Sequence, residues 1–307
     1  MKSTLSHLQA TSLAFAGFTL WVFTDTTIKL VNQSHLPSFE ILAFLGLFMA
    51  FFMLVHALIR PALARQGLAA LKPHKLGPQF LRSALDLGNN ICVIIALRHL
   101  TLTLFYILIF LAPIVVALLS PWLLRERMTL PKALAILTGF AGVVIAVHPW
   151  GHSQQADWIG YAACLGCVAC FSLNMLWSRV LTQTETPESL TLFSAAVMAI
   201  VGFALTLSHP AALTSRNLVL LVAMGILCSA GSLCFFFALK HTTAANVSQF
   251  HYTQLVTGAV VSYFVWNQKP ALATILGGAL IIVSGIYIAV HAQQNARAWT
   301  HPTTVPD

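Results

Sequence analysis

Charge is what this 307-residue chain lacks: 16 Lys and Arg with 8 Asp and Glu come to 8% of its residues, where a soluble globular chain carries about 25%. With 58% of the residues hydrophobic, an ordinary soluble protein is excluded. The basic residues are scattered singly, so a net charge of +8 builds no face for nucleic acid. At about 20 residues per membrane-spanning helix, ten helices would take about 200 residues and leave no room for a soluble domain.

Chemistry-bearing motifs are missing too. There is no G-x-x-x-x-G-K-[ST], which speaks against a nucleotide-driven pump. No H-E-x-x-H, G-x-S-x-G or paired-carboxylate motif supports the alternative of a polytopic enzyme acting on a lipid or prenyl substrate. The six cysteines (Cys92, Cys164, Cys167, Cys170, Cys228 and Cys234) lie inside apolar runs, where free Cys behaves as a small hydrophobe. Cys164, Cys167 and Cys170 have a metal-like spacing but no His or carboxylate in their run. Beside Gly160 and Gly166 they read as a small-residue packing face. No metal, no cofactor and no catalytic residue is predicted.

What is present is a series of apolar stretches at about 11–31, 38–58, 80–98, 101–121, 130–148, 157–178, 189–208, 217–239, 243–265 and 271–291. The first is too long for a signal-peptide core and precedes no cleavage site, so it reads as a transmembrane helix. With both termini cytoplasmic, twelve Lys and Arg, Arg82 among them, fall inside, against Lys29, Arg98, Arg216 and Lys269 outside. The positive-inside rule therefore predicts N-in, C-in. The long loop 59–79 is basic and cytoplasmic on this reading, residues 1–10 form a cytoplasmic N-terminus, and 292–307 a disordered cytoplasmic tail.

The two halves repeat. Ala96-Leu97-Arg98-His99 recurs 142 residues on as Ala238-Leu239-Lys240-His241, and Ile145-Ala146-Val147-His148 recurs 143 on as Ile288-Ala289-Val290-His291. Lys29 and Pro37 match Arg179 and Pro187 at an offset of 150. Five spans per half is an odd number, so the second copy enters the membrane from the other side. The expected fold is all-α: ten transmembrane helices in two inverted five-helix repeats, 11–148 and 157–291. That arrangement is characteristic of secondary transporters, whose site lies near the midplane at the repeat interface.

The stretch Ala96-Leu97, Pro113, Ala117-Leu118-Leu119, Leu124-Arg125-Glu126-Arg127, Gly139 and Gly142-Val143 resembles the signature of the EamA-type drug/metabolite transporter superfamily. It departs from that signature at Arg125, where the family has Gly, and the second copy is weaker, with Asn267-Gln268 and Leu255 at signature positions. The resemblance implies a carrier in the bacterial inner membrane, a central cavity lined by both halves, and peripheral fifth and tenth spans. The partners expected are a small-molecule substrate and the lipid bilayer, and a homodimer stays open.

An ionisable side chain in a bilayer is a functional candidate by default, and few qualify. Asp25 lies four residues before Lys29 and reads either as a self-neutralising pair or as a substrate group. Asp86 shares its stripe with Arg82, Asn89 and Asn90, but in the weaker order for a helical ion pair, so it is the more available acid. His251 has no carboxylate within a turn and shares a stripe with Ser248 and Tyr252. It reads either as a neutral histidine bonded across helices or as a cavity group that meets substrate or a proton. Tyr106 and Asn174 read as partners for a substrate carboxylate or amine, or as interhelical glue. Pro113 is a candidate hinge. The substrate-binding set is thus Asp25, Asp86, Asn90, Tyr106, Asn174, Ser248, His251 and Tyr252, with His251 and Asp86 the proton-coupling candidates. Two acids and a histidine suggest a cationic or zwitterionic solute such as an amino acid or a metabolite derived from one. The aromatics Phe105, Phe110, Trp177, Phe235, Phe236 and Phe237 are expected mostly to pack or face lipid.

Overall fold

A computed structural model of the chain describes residues 7–59, 71–112, 114–116, 119, 130–147, 157–206, 213–241, 247, 250–269, 272–273, 275–280, 282–284 and 287. Apart from turns and short connections, these residues are helical. In chain order run α1 (His7–Asn32), α2 (Ser38–Ile59), α3 (Leu76–His99), α4 (Leu102–Ile109), α5 (Leu130–Val147), α6 (Trp158–Leu181), α7 (Pro187–Thr206), α8 (Ser215–His241) and α9 (His251–Trp266). A tenth helical stretch, α10, covers 275–284, and helix also continues past α4 to Val116. By length and composition α2, α3, α6, α7 and α8 are able to cross a membrane. Helix is the form such sequences must take in lipid, because each N–H and C=O then finds its partner within the segment. Large apolar side chains such as Phe51, Leu58, Ile200 and Phe264 remain exposed on the outer surface, where lipid would cover them.

The repeat is visible in the packing. Exchanging each helix of the first half for its counterpart in the second turns the α1 against α8 contact into α6 against α3, and maps α2 against α7 onto itself; these are the three most extensive pairings. The duplicated tetrapeptides close corresponding helices: α3 ends on Arg98-His99 and α8 on Lys240-His241. Ala96, Leu97, Ala238 and Leu239 are buried in both places. Pro37 immediately precedes α2 and Pro187 opens α7, positions that need no intrahelical N–H.

Polar contacts tie the halves at both ends. At one end Ser34 Oγ donates to Asn217 Oδ1 at 3.0 Å, beside a contact within the first half in which Arg98 donates to Asn32 Oδ1 and to the Leu36 carbonyl. There too His99 Nδ1 stands 2.7 Å from Asp157 Oδ2, and this hydrogen bond holds the Asp157 carboxyl below its usual range. At the other end the buried Glu185 carboxylate, between α6 and α7, accepts from the backbone N–H groups of His74 at 3.0 Å and Lys75 at 2.8 Å. It thereby satisfies backbone donors at the start of α3, a helix of the other half.

Burial works to raise the Glu185 pKa, but these N–H groups and His74 outweigh it, and the net displacement is below the ordinary 4.5. A depressed carboxyl pKa stabilises the fold above the unfolded-state value and is lost as pH falls through the folded one. Glu185→Ala should therefore lower thermal stability in detergent at pH 7 by about 1–3 kcal/mol, the cost of unpaired buried donors. The difference from wild type should shrink as the pH is taken below 4.5. Equal melting temperatures at pH 7 would show that the contact contributes nothing.

Candidate functional site

Between the halves lies a cavity of about 860 Å³, counting its open mouth, lined by α1 to α4 and α6 to α9. Neither α5 nor α10 contributes to its lining among the described residues. Asp25, Asp86, Asn90, Tyr106, Asn174 and His251, read from sequence as separate candidates on five spans, all line this one space. Ser248 and Pro113 lie outside the described residues, as does the Tyr252 side chain, so the structure leaves these positions without a place.

One wall is acidic. Tyr106, fully buried on α4, donates its hydroxyl to Asp25 Oδ2 at 2.7 Å. Asn174 donates from Nδ2 to Asp86 Oδ1 at 3.2 Å, and its own Oδ1 accepts from Ser178. Asn90 donates to the Asp86 carbonyl at 2.9 Å, and the Cys167 thiol to Asn89 Oδ1 at 3.0 Å. Tyr106 and Asn174 thus bond the protein's own carboxylates across helices.

Two electrostatic expectations are corrected. Asp25 does not self-pair with Lys29: Nζ of Lys29 donates to the carbonyls of Leu97 at 3.0 Å and Leu100 at 2.5 Å, at the end of α3, and sits 5.9 Å from the Trp266 ring. The unpaired carbonyls and negative dipole end of α3 outcompete a carboxylate one turn along the same helix. Arg82 does not serve as an inner-side surface cation. It is fully buried in α3, where Nη2 donates to the Leu190 carbonyl and to Ser194 Oγ on α7, each at 2.5 Å, and its guanidinium lies 5.3 Å from the Phe236 ring. The inner count therefore falls from twelve to eleven and keeps its sign. No Lys or Arg nitrogen lies within ion-pair distance of Asp25 or Asp86 among the described residues.

Another part of the lining is aromatic, which the sequence did not lead one to expect. Trp21, Phe171 and Phe235 converge from three helices, with ring centroids 5.0 to 6.4 Å apart. Phe105 and Phe236 also line the cavity. Phe110 is buried away from it, and Trp177 donates its indole N–H to the Pro78 carbonyl at 3.1 Å, both in the packing role. His251 Nδ1 lies 3.0 Å from Gln254 Oε1, while Gln254 Nε2 donates to the Phe18 carbonyl at 3.3 Å. Gln254, Phe171 and Trp21 were missed as site residues. A Gln or Phe in an apolar run carries no signal until the helices bring it to a common space.

A model of the EamA-like transporter family matches residues 8–148 and again 158–290. The chain belongs to the EamA-like transporter family. The match covers both halves, as two five-helix repeats require. Among its relatives is the S-adenosylmethionine uptake transporter of Rickettsia conorii (strain ATCC VR-613 / Malish 7), 25% identical over 62% of this chain and 63% of that one. A second is the pseudopaline exporter CntI of Pseudomonas aeruginosa (strain UCBPP-PA14), 26% identical over 89% of this chain and 96% of that one. A crystal structure with 17% identity superposes with a TM-score of 0.68 over 93% of this chain and 98% of its own, a likeness of fold. This EamA-like chain is thus a multi-pass membrane transporter of small metabolites rather than an enzyme. The cavity between its repeats is where the transporter architecture places a substrate.

Proposed function

We propose that this transporter carries a cationic or zwitterionic amino-acid-derived metabolite across the bacterial inner membrane by alternating access, coupled to protons, with both termini in the cytoplasm. The observation that carries this reading is the pair of carboxylates, Asp25 and Asp86, in one cavity, with no Lys or Arg nitrogen at ion-pair distance among the described residues and the buried Arg82 acting on Asp86 only through space. A buried charge demands compensation, and a cationic ligand supplies it. S-adenosylmethionine, named for several relatives, is such a compound: it bears a sulfonium, an ammonium and a carboxylate. Uptake and export both occur among the relatives, and the cavity is compatible with either.

Asp86 is the better placed of the two proton-coupling candidates. Its carboxylate accepts from the neutral Asn174 and feels the buried Arg82 charge one turn away through space, so proton and cationic substrate can compete for it. The ring proton of His251 is engaged by Gln254 instead. Orientation rests on the positive-inside count, eleven against four once Arg82 is set aside.

Reconstituted protein should move at least one amine-bearing compound, S-adenosylmethionine included, from a panel of amino acids and their derivatives. A pH gradient should raise accumulation in the direction set by proton exchange or symport. Absence of flux for the whole panel, with protein verified as folded, would sink the proposal.

A further inference from the structure

We infer that the aromatic wall of the cavity receives a flat heteroaromatic ring bearing an in-plane N–H, and that this N–H is donated to Nε2 of His251 while the cationic end of the same ligand meets the carboxylates. The inference rests on the transporter reading above and narrows its ligand class.

His251 is 2% exposed, and its Nε2 has no hydrogen-bond partner among the described residues. The neighbouring amide decides which nitrogen carries the proton. Gln254 spends its Nε2 on the Phe18 carbonyl, so its Oε1 faces the imidazole and accepts from Nδ1–H. In the neutral ring Nε2 then carries a lone pair and nothing else. His251 lines the cavity, and a ligand there can supply the missing donor on a small displacement of the rings that cover Nε2. A buried acceptor left unmade costs free energy that a complementary ligand recovers.

The surroundings select a ring as the donor's carrier. The imidazole is flanked by Phe18, centroids 4.3 Å apart, and by Phe171 at 4.8 Å and 88°. Phe171 continues into the Trp21 and Phe235 cluster, which offers ring faces and edges from three helices. Such a wall favours flat, polarisable groups over flexible alkyl chains, and also attracts a cation held near it. The acidic and aromatic walls together fit a molecule with an amine or other cation at one end and an N–H heteroaromatic ring at the other.

The test uses matched probes on the full-length protein in detergent. Affinity is measured by thermal shift for tryptamine, for 1-methyltryptamine, which lacks the ring N–H, and for hexylamine, which lacks the ring. Wild type should bind tryptamine at least about tenfold more tightly than 1-methyltryptamine, the weight of one buried hydrogen bond. His251→Phe, which keeps a ring in the cage, should bring that ratio to about one. Gln254→Leu, which frees the imidazole tautomer, should lower the ratio as well and guards against a folding defect in the first variant. Equal affinity for the two tryptamines in wild type, or a ratio preserved in both variants, overturns the inference while hexylamine binding leaves the transporter reading standing. Failure of all three amines to bind overturns both.

Discussion

Gly46→Val and Gly202→Val should each abolish recovery of monodisperse protein from membranes. The α2 and α7 helices cross with their backbones in contact. A Cβ added at Gly46 would stand 2.5 Å from the Ala195 carbonyl oxygen, and one at Gly202 would stand 2.5 Å from the Ala43 nitrogen and 2.6 Å from its Cα. The obstructing atoms are main chain, so no side-chain rotation relieves the clash and the helices must separate. In lipid no hydrophobic force draws them back, since association rests on close packing of small residues. The cost should exceed ~3 kcal/mol, the upper part of the range for overpacked cores. Gly77→Ala is the control, because a Cβ there meets nothing within 4 Å. Size-exclusion profiles of fluorescently tagged variants read the outcome. A wild-type profile and melting temperature for Gly46→Val would mean that the two helices are not in backbone contact.

Asp25→Asn and Asp86→Asn should each cut binding and flux of the transported cation by at least about thirtyfold, the low end of what losing one partner of a buried charge pair costs. Both proteins should remain folded, because a neutral amide in a membrane interior is less costly than a carboxylate. The two variants should differ in how flux depends on pH. Asp86→Asn removes the proposed proton competitor and should flatten the profile, whereas Asp25→Asn should lower flux at every pH. Tyr106→Phe, which takes the phenolic donor from Asp25 and preserves its ring, should have a smaller effect in the same direction as Asp25→Asn. Unchanged flux and pH profile in both aspartate variants would reduce them to structural polar groups.

Much of the architecture is legible in one dimension because lipid leaves so few choices. A backbone surrounded by hydrocarbon has to satisfy itself, so spans appear as unbroken apolar stretches. Duplicated tetrapeptides then mark equivalent helix ends, as at Arg98-His99 and Lys240-His241. The same scarcity exposes Asp25, Asp86 and His251, since an ionisable group in such a stretch stands out against its neighbours. Partner choice within the bundle is not legible in this way. Lys29 four residues after Asp25 suggests a local pair, yet the end of α3 is nearer in space and richer in unpaired carbonyls. Arg82, near the start of the third span, counts by sequence among the inward cations, yet α3 begins already at Leu76 and carries it into the bundle.

The amino-acid order alone thus determined a ten-helix membrane protein built twice over, and the handful of ionisable groups its spans would have to house. Those follow from hydropathy and repetition, which are local properties of the chain. Only the tertiary structure decided that six polar side chains from five spans share one cavity, that aromatic rings from three helices join its lining, and that Gln254 stands beside Nδ1 of His251 while its Nε2 is buried without a partner. Rotation of each helix about its axis, set by packing at Gly46, Gly202 and their neighbours, decides which side of a uniformly apolar helix faces that space. No periodicity along such a helix records it, because lipid and protein interior demand the same kind of residue.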